Sequence, residues 1–463
     1  MKRPDYLASG ELARLIPVAV KPELRNTSVT CAVLMAVDEF ATVLLGVLGA
    51  PTGSRAKTSI WLEPVFKGSK KQSKDRPDAL IVIDNGRRVW RALLEAKANN
   101  ADLDTTQVER YLDIAKKQGI DAVITISNQF AAASNQSPCN IDRRKLRKVS
   151  LFHWSWSYLK TEAKIQLSKS IISDPDQAYM LDEYVRYLEH STSGVSEFNQ
   201  MGKDWVEVCK LYFAKSKLNN ASAMGTSVLS DWNELVRSTS LLMSRELETN
   251  VTTVLSNRAR KDPSGYLQAK QEAFISSGVL TGNLDIPGAA SAITVEADLN
   301  RRSVTVSMVV GAPKDRKRTS ATVTWLLRQL AKTEERNIML VAKWPGRTQD
   351  TCAELARVRE DVDVLTEQRK TQLPHTFEIR AVSDLGGKFT QRRNFVPALI
   401  KCVTRFYESV GQHIVPWQEP PPKPKKKSAV GTEDLPSRNE VAGVGTQQIT
   451  SADRQTTTRF GDG

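Results

Sequence analysis

Two almost wholly apolar runs limit the fold more than any other feature: DALIVID at 78–84 and RVWRALLEAKA at 88–98, joined through Asn85-Gly86. Strands that are apolar at nearly every position are covered on both faces, so these belong to a sheet sandwiched by helices. Asn-Gly between such runs marks a hairpin, because both residues tolerate the positive φ of a turn that matches strand twist. With Asn85 and Gly86 alone as the turn, Asp84 pairs with Arg87 and Asp78 falls opposite Leu93. Side chains alternate along a strand, so Leu93, Glu95 and Lys97 share a face with Asp78. Asp78 and Glu95 are then diagonal neighbours, roughly 7–8 Å apart. A one-residue slip would put them on opposite faces.

The flanking segments extend this unit. Residues 29–48 read as one helix, closed by Gly49 and Pro51. TSIWLEPVF (58–66) is a strand, 105–118 a helix ending at Gly119, AVITISNQF (122–130) a buried strand, and VSLFHWSWSYL (149–159) a strand running into a helix. The expected fold class is α/β, with a mixed central sheet flanked by helices over 27–160, after a lead-in of 1–26. A mainly helical region follows at 161–285, and a second, smaller α/β domain at 286–415. In that domain 293–298, 303–310, 337–344 and 375–382 are strands, while 322–332 and 395–410 are helices. Residues 416–463 are rich in Pro, Lys, Gln and Thr and are expected to be disordered.

With 463 residues the chain is long enough for two or three cores, and its net charge of +14 favours an anionic partner, nucleic acid first. The five cysteines show no CxxC pair and the four histidines no ligand spacing, which argues against a disulfide framework or a structural zinc site and suits a reducing cytoplasm. No uncharged apolar stretch approaches the ~18 residues of a membrane span, so no membrane partner is expected. No GxxxxGK[ST] loop is present, which excludes the common phosphate cradle of nucleotide hydrolases.

Asp78, Glu95 and Lys97 supply what phosphodiester hydrolysis needs: two carboxylates for a hard cation such as Mg²⁺ or Mn²⁺, and an ammonium to position water and offset charge. The blander alternative makes Glu95 and Lys97 an exposed strand pair and Pro77-Asp78 a strand start. Pro77-Asp78 followed by Glu95-Ala96-Lys97 on the next strand resembles the signature of the PD-(D/E)xK nuclease superfamily. Gln107 and Tyr111, four apart on the following helix, resemble the QxxxY element of one branch of it. Each motif alone is common; their order along residues 27–160 is what carries the likeness.

The resemblance implies that Asp78 and Glu95 bind metal, that Lys97 assists the attacking water, and that Gln107 and Tyr111 support the site. It further implies a metal-dependent DNA endonuclease of phage defence, restriction or repair, working as a homo-oligomer or with a defence partner. An RNA nuclease, or a non-catalytic nucleic-acid-binding scaffold, are the alternatives. Family members often add a glutamate from the first helix. Glu39, on the apolar stripe of Ala32, Ala36 and Val43, is the candidate here, with Glu63 on the first strand as the lesser one. Lys67, Lys70, Lys71, Lys74 and Arg76 lead directly into Asp78, and Arg143, Arg144 and Lys145 precede the last strand; both runs are candidate phosphate contacts. Lys314, Arg316, Lys317 and Arg318 form a third basic turn, while Trp154 and Trp156 are expected in the core.

Overall fold

A computed structural model of the chain describes residues 4–17, 21–53, 55–67, 76–99, 101–129, 138–139, 141–142, 144–216, 218, 223–254, 263–335, 337–367, 369 and 372–419. The tail expected to be disordered falls outside these residues from 420 onward.

The first sheet has six strands in sequential order: β1 (Leu7–Leu12), β2 (Lys57–Phe66), β3 (Ala79–Asp84), β4 (Val89–Ala96), β5 (Ala122–Ser127) and β6 (Ser150–Ser155). β1 to β4 run antiparallel; β5 and β6 are parallel to β4, so the sheet is mixed. Helices α1 (Pro22–Ala36), α2 (Asp38–Gly46), α4 (Trp156–Ser168) and α5 (Pro175–Glu189) cover one face, where Ile81, Ala92, Leu94, Ile124 and Trp154 lie. Helix α3 (Thr105–Gln118) covers the other, against Leu80, Leu93 and Val123. α3 starts where the Asp104 carboxylate accepts from the Thr106 amide and stops at Gly119, whose φ of 66° few other residues adopt.

The β3–β4 register differs from the expected one by two residues: Asp84 pairs with Val89 and Ala79 with Leu94. Asp84 and Asn85 cause the difference. The Asp84 side chain accepts from the Gly86 amide, and the Asn85 side chain accepts from the amides of Arg87 and Arg88, so four residues are held in the loop. A shift of two preserves which side chains share a face. Asp78, one step before Ala79, therefore stands directly opposite Glu95.

The expected helix over 29–48 is two helices. Val37 is extended (φ −113°, ψ 97°) and the chain bends by 105° there. Asp38 and Glu39 occupy the first turn of α2, where carboxylates are favoured by the helix dipole. Among the described residues no single helix is long and apolar enough to cross a membrane.

The lead-in is not separate from the first unit, since it supplies β1 and the first turn of α1. The middle segment divides between two cores. α4 and α5 pack on the first sheet, whereas α6 (Trp205–Phe213) and α7 (Ala223–Glu246) belong to a second core that runs on to Ile414. That core also takes the segment containing β7 (Thr252–Thr253), α8 (Pro263–Ser277) and β8 (Val279–Asp285). It is built on a seven-stranded antiparallel sheet that includes β9 (Ile293–Asp298), β10 (Ser303–Gly311), β11 (Ile338–Lys343), β12 (Thr351–Glu354) and β13 (Thr376–Asp384). Helices α9 (Thr319–Gln329) and α10 (Arg392–Ser409) complete it. Both cores lie in one compact unit, and Glu197 bridges them by accepting from Lys160 of α4 (2.8 Å) and Arg245 of α7 (2.9 Å).

Candidate functional site

Two strand ends and one helix start meet at the C-terminal end of β4. Asp78 enters from the residue before β3, and its Oδ2 accepts from the Ala96 amide at 2.7 Å. Glu95 is 2% exposed, and its Oε1 accepts from Lys97 Nζ and from Gln107 Nε2, both at 2.7 Å. Lys97 follows the last residue of β4; its amide extends the parallel ladder to the Ile126 carbonyl (2.7 Å), and Trp156 Nε1 donates to its carbonyl at 2.7 Å. The lysine is therefore fixed from both sides of its backbone.

Lys97 Nζ also donates to Glu23 Oε1 at 2.9 Å. Glu23 is the residue that sequence reasoning missed. It sits in the first turn of α1, next to Pro22 at the helix start. A proline followed by an acid is a recognisable helix-start signal, and placing the start at 22 rather than near 29 would have exposed it.

One ligand oxygen from each of Glu23, Asp78 and Glu95 lies within 4.8 Å of the others. Glu95 Oε2 is buried and has no hydrogen-bond partner among the described residues. Burial, then the charge of Glu95, pushes the Asp78 carboxyl well above its ordinary range, against the Ala96 amide, which lowers it. Burial also raises Glu95, with the Lys97 ammonium opposing. Burial works against the Lys97 charge, but hydrogen bonds and the field of Glu95 and Glu23 outweigh it and hold its pKa above the usual value. Three carboxylates against one ammonium leave negative charge in a partly dehydrated place, which is costly without a counter-ion. The donor set is all oxygen, with one oxygen unsatisfied. That fits a hard divalent cation.

Gln107 and Tyr111 share one face of α3 and close the site from that side. Gln107 Nε2 donates to Tyr111 Oη (2.9 Å) as well as to Glu95, and Tyr111 Oη donates to the Arg76 carbonyl at 3.0 Å. Burial, followed by the Glu95 charge, keeps the tyrosine protonated. Asp78, Glu95, Lys97, Gln107 and Tyr111 are thus brought together as the sequence suggested.

Other candidates are placed elsewhere. Glu39 is carried away by the break at Val37, and its Oε1 accepts from the Ser173 hydroxyl at 3.3 Å. Glu63 lies outside the carboxylate cluster, paired with Arg76 at 3.5 Å, although its amide donates to the Asp78 carbonyl at 2.7 Å. Arg144 is engaged by Asp142 (3.1 Å), and Lys145 by Asp113 (2.6 Å) and Glu109 (3.8 Å). On a helix Glu109 and Asp113 lie on the side opposite Gln107 and Tyr111, so Lys145 is held away from the site. Lys67 and Arg76 are exposed at the two ends of their loop; Lys70, Lys71, Lys74 and Arg143 lie outside the described residues. Lys314, Arg316, Lys317 and Arg318 are exposed just before α9, in the second core. Trp154 and Trp156 are buried in the first core.

No family model, no curated protein and no solved structure matches this chain.

Proposed function

We propose that the chain is a metal-dependent nuclease that hydrolyses phosphodiester bonds of DNA at the cluster of Glu23, Asp78, Glu95 and Lys97. The observation that carries this reading is the unsatisfied, buried Oε2 of Glu95 beside two further carboxylates, with one lysine tying two of them together. A magnesium or manganese ion bound there supplies Lewis acidity toward a phosphate oxygen and toward water.

The residues of the chain supply the rest. Glu23, Asp78 and Glu95 would hold the ion. An ammonium has three protons; Lys97 gives one to Glu95 and one to Glu23, and its third is available to orient a water or to meet charge developing on the phosphate. Gln107 fixes the rotamer of Glu95, and Tyr111 fixes Gln107. Trp156 anchors the backbone from which Lys97 extends. The net charge of +14 favours a polyanionic substrate.

The biological setting we propose is the cytoplasm, in phage defence, restriction or repair, alone or with a further copy or a defence partner. It follows from the family resemblance, and the free cysteines are compatible with a reducing compartment.

The test is cleavage of plasmid and of labelled single-stranded DNA with Mg²⁺ by the wild type, Asp78→Ala and Lys97→Ala, with labelled RNA in parallel. Cleavage by the wild type alone supports the reading; equal cleavage by all three identifies a contaminant and removes it. RNA cut in place of DNA changes the substrate and leaves the site standing.

A further inference from the structure

A cavity of about 290 Å³ reaches Asp78 of the carboxylate cluster, and the chemistry proposed above makes no use of it. β1, the start of α1 and β2 form its walls, and Asp78 is among its lining residues. Leu24, Leu62 and Pro17, each half-buried, give it an apolar side. Arg14 and Arg76 stand on its polar side with 58% and 48% of their side chains exposed.

Each guanidinium sits in a half-exposed ion pair, and Arg76 Nε also donates to the Glu63 carbonyl at 3.0 Å. Arg14 is paired with Glu11, and Arg76 with Glu63 at 3.5 Å, and all four groups are about half exposed. Exposed pairs of this kind contribute only ~0–1 kcal/mol, so an incoming phosphate can draw on Arg14, or on the terminal nitrogens of Arg76, at little cost. Glu63 has a φ of 44° inside a strand, a conformation unfavourable for any residue with a side chain. The kink lies on the cavity wall beside Asp78, since both residues line the cavity and the Glu63 amide is bonded to the Asp78 carbonyl. Backbone strain of this kind persists where surrounding structure enforces it and gathers at ligand sites.

We infer that this cavity receives one unpaired nucleotide of a single strand, next to the phosphate that is cut. Its base lies against Leu24, Leu62 and Pro17, and its phosphates take Arg14 and Arg76 from Glu11 and Glu63. The inference rests on the nuclease reading and adds the form of the substrate. A base inside a stacked duplex cannot lie against the apolar side of this cavity without leaving the stack, so a free strand or an end is favoured over intact duplex. No aromatic ring lines the cavity among the described residues, so the base is held by apolar contact without preference for its identity.

The test is fluorescence anisotropy of the full chain with a labelled single-stranded DNA, the same sequence as RNA, and the blunt DNA duplex. Calcium replaces magnesium to hold the carboxylate site filled. Single strands are expected to bind about tenfold more tightly than the duplex, and Leu24→Trp, which fills the cavity, to weaken them by about tenfold. Arg14→Glu, at a half-exposed side chain, is expected to do the same and to weaken the duplex by clearly less. Duplex binding equal to or tighter than single-strand binding overturns the inference, as does an Arg14→Glu chain that holds single strands like the wild type. The DNA and RNA arms decide which backbone is accepted. Arginine-dependent strand binding by a chain that never cleaves removes the nuclease reading and keeps the cavity. Cleavage that persists with strand binding unaffected by Arg14→Glu does the reverse.

Discussion

Asp78 stands directly across β3 and β4 from Glu95, one step beyond the Ala79–Leu94 pair, and only the Ala96 amide holds its Oδ2 among the described residues. The two carboxylates and Glu23 face one another within 4.8 Å, and Lys97 hydrogen-bonds Glu95 and Glu23 while reaching Asp78 only through its charge. The site therefore stores repulsion that the proposed cation would relieve. Its stability and its proposed activity are opposed.

Asp78→Asn separates the two. Asparagine keeps an acceptor for the Ala96 amide and removes one like charge, so in chelator the variant is expected to be more stable than wild type by about 1–2 kcal/mol. Cleavage is expected to fall by at least about a hundredfold, as the cation loses a ligand. Thermal unfolding in EDTA and plasmid cleavage in Mg²⁺ check the pair. A destabilised Asp78→Asn chain would show that the aspartate is a structural anchor.

Divalent cation should act through the folded state alone. At a hundred times its dissociation constant, magnesium or manganese is expected to stabilise the wild type by about 2.7 kcal/mol and to leave Asp78→Asn nearly unchanged. Gln107→Leu removes the bond that orients Glu95, and a tenfold or larger loss of manganese affinity is the usual order for such a supporting residue, ~10–100-fold. Calorimetric titration measures both. Equal manganese affinity in wild type and Gln107→Leu would deny the glutamine its positioning role.

How far the sequence alone reached depends on the physics of each element. The period of two along β3 and β4 put Asp78 and Glu95 on one face, and a register two residues out did no harm because parity survived. The loop itself was misread, since Asp84 and Asn85 bind amides within it and lengthen it to four residues. Gln107 and Tyr111 were legible because four-residue spacing on a helix is rigid. Glu39 was misplaced for the opposite reason: hydrophobic periodicity runs through Val37 without registering a bend, and only Asp38-Glu39, read as a helix start, hints at it. Glu23 lay outside the expected unit altogether. β1 is short, and the expected lead-in concealed it because its partner on β2 is distant in sequence.

Trp156 links core packing to the site. Its indole nitrogen donates to the Lys97 carbonyl at 2.7 Å from a fully buried position. Trp156→Phe keeps most of the apolar contact and leaves that carbonyl short of a donor, which costs about 1–3 kcal/mol. Cleavage is expected to fall several-fold at saturating substrate with little change in strand binding, because Lys97 is displaced and the cavity is not. Denaturant unfolding together with kcat and KM tests this. A change confined to KM would assign the tryptophan to binding instead.

His153 on β6 gives the first core a dependence on pH that is separate from the carboxylates. It is 3% exposed; Nε2 meets the Gln129 carbonyl at 2.8 Å, which requires a proton there, and Nδ1 meets the Thr125 hydroxyl at 2.9 Å. Burial lowers its pKa from 6.5 to about 4, with the Gln129 bond opposing. Between those values the unfolded chain carries a proton that the folded chain refuses. Stability is therefore full above pH 6.5 and declines as pH falls toward about 4, below which this group adds no further loss. The decline attributable to it is about 3 kcal/mol, from ~1.4 kcal/mol per unit. His153→Gln retains a donor for the Gln129 carbonyl and cannot titrate, so its stability between pH 7 and pH 4 is expected to fall by about that much less than the wild type's. Urea unfolding at intervals across that range reads the difference directly, and parallel curves for the two proteins would show that the imidazole is not the group responsible.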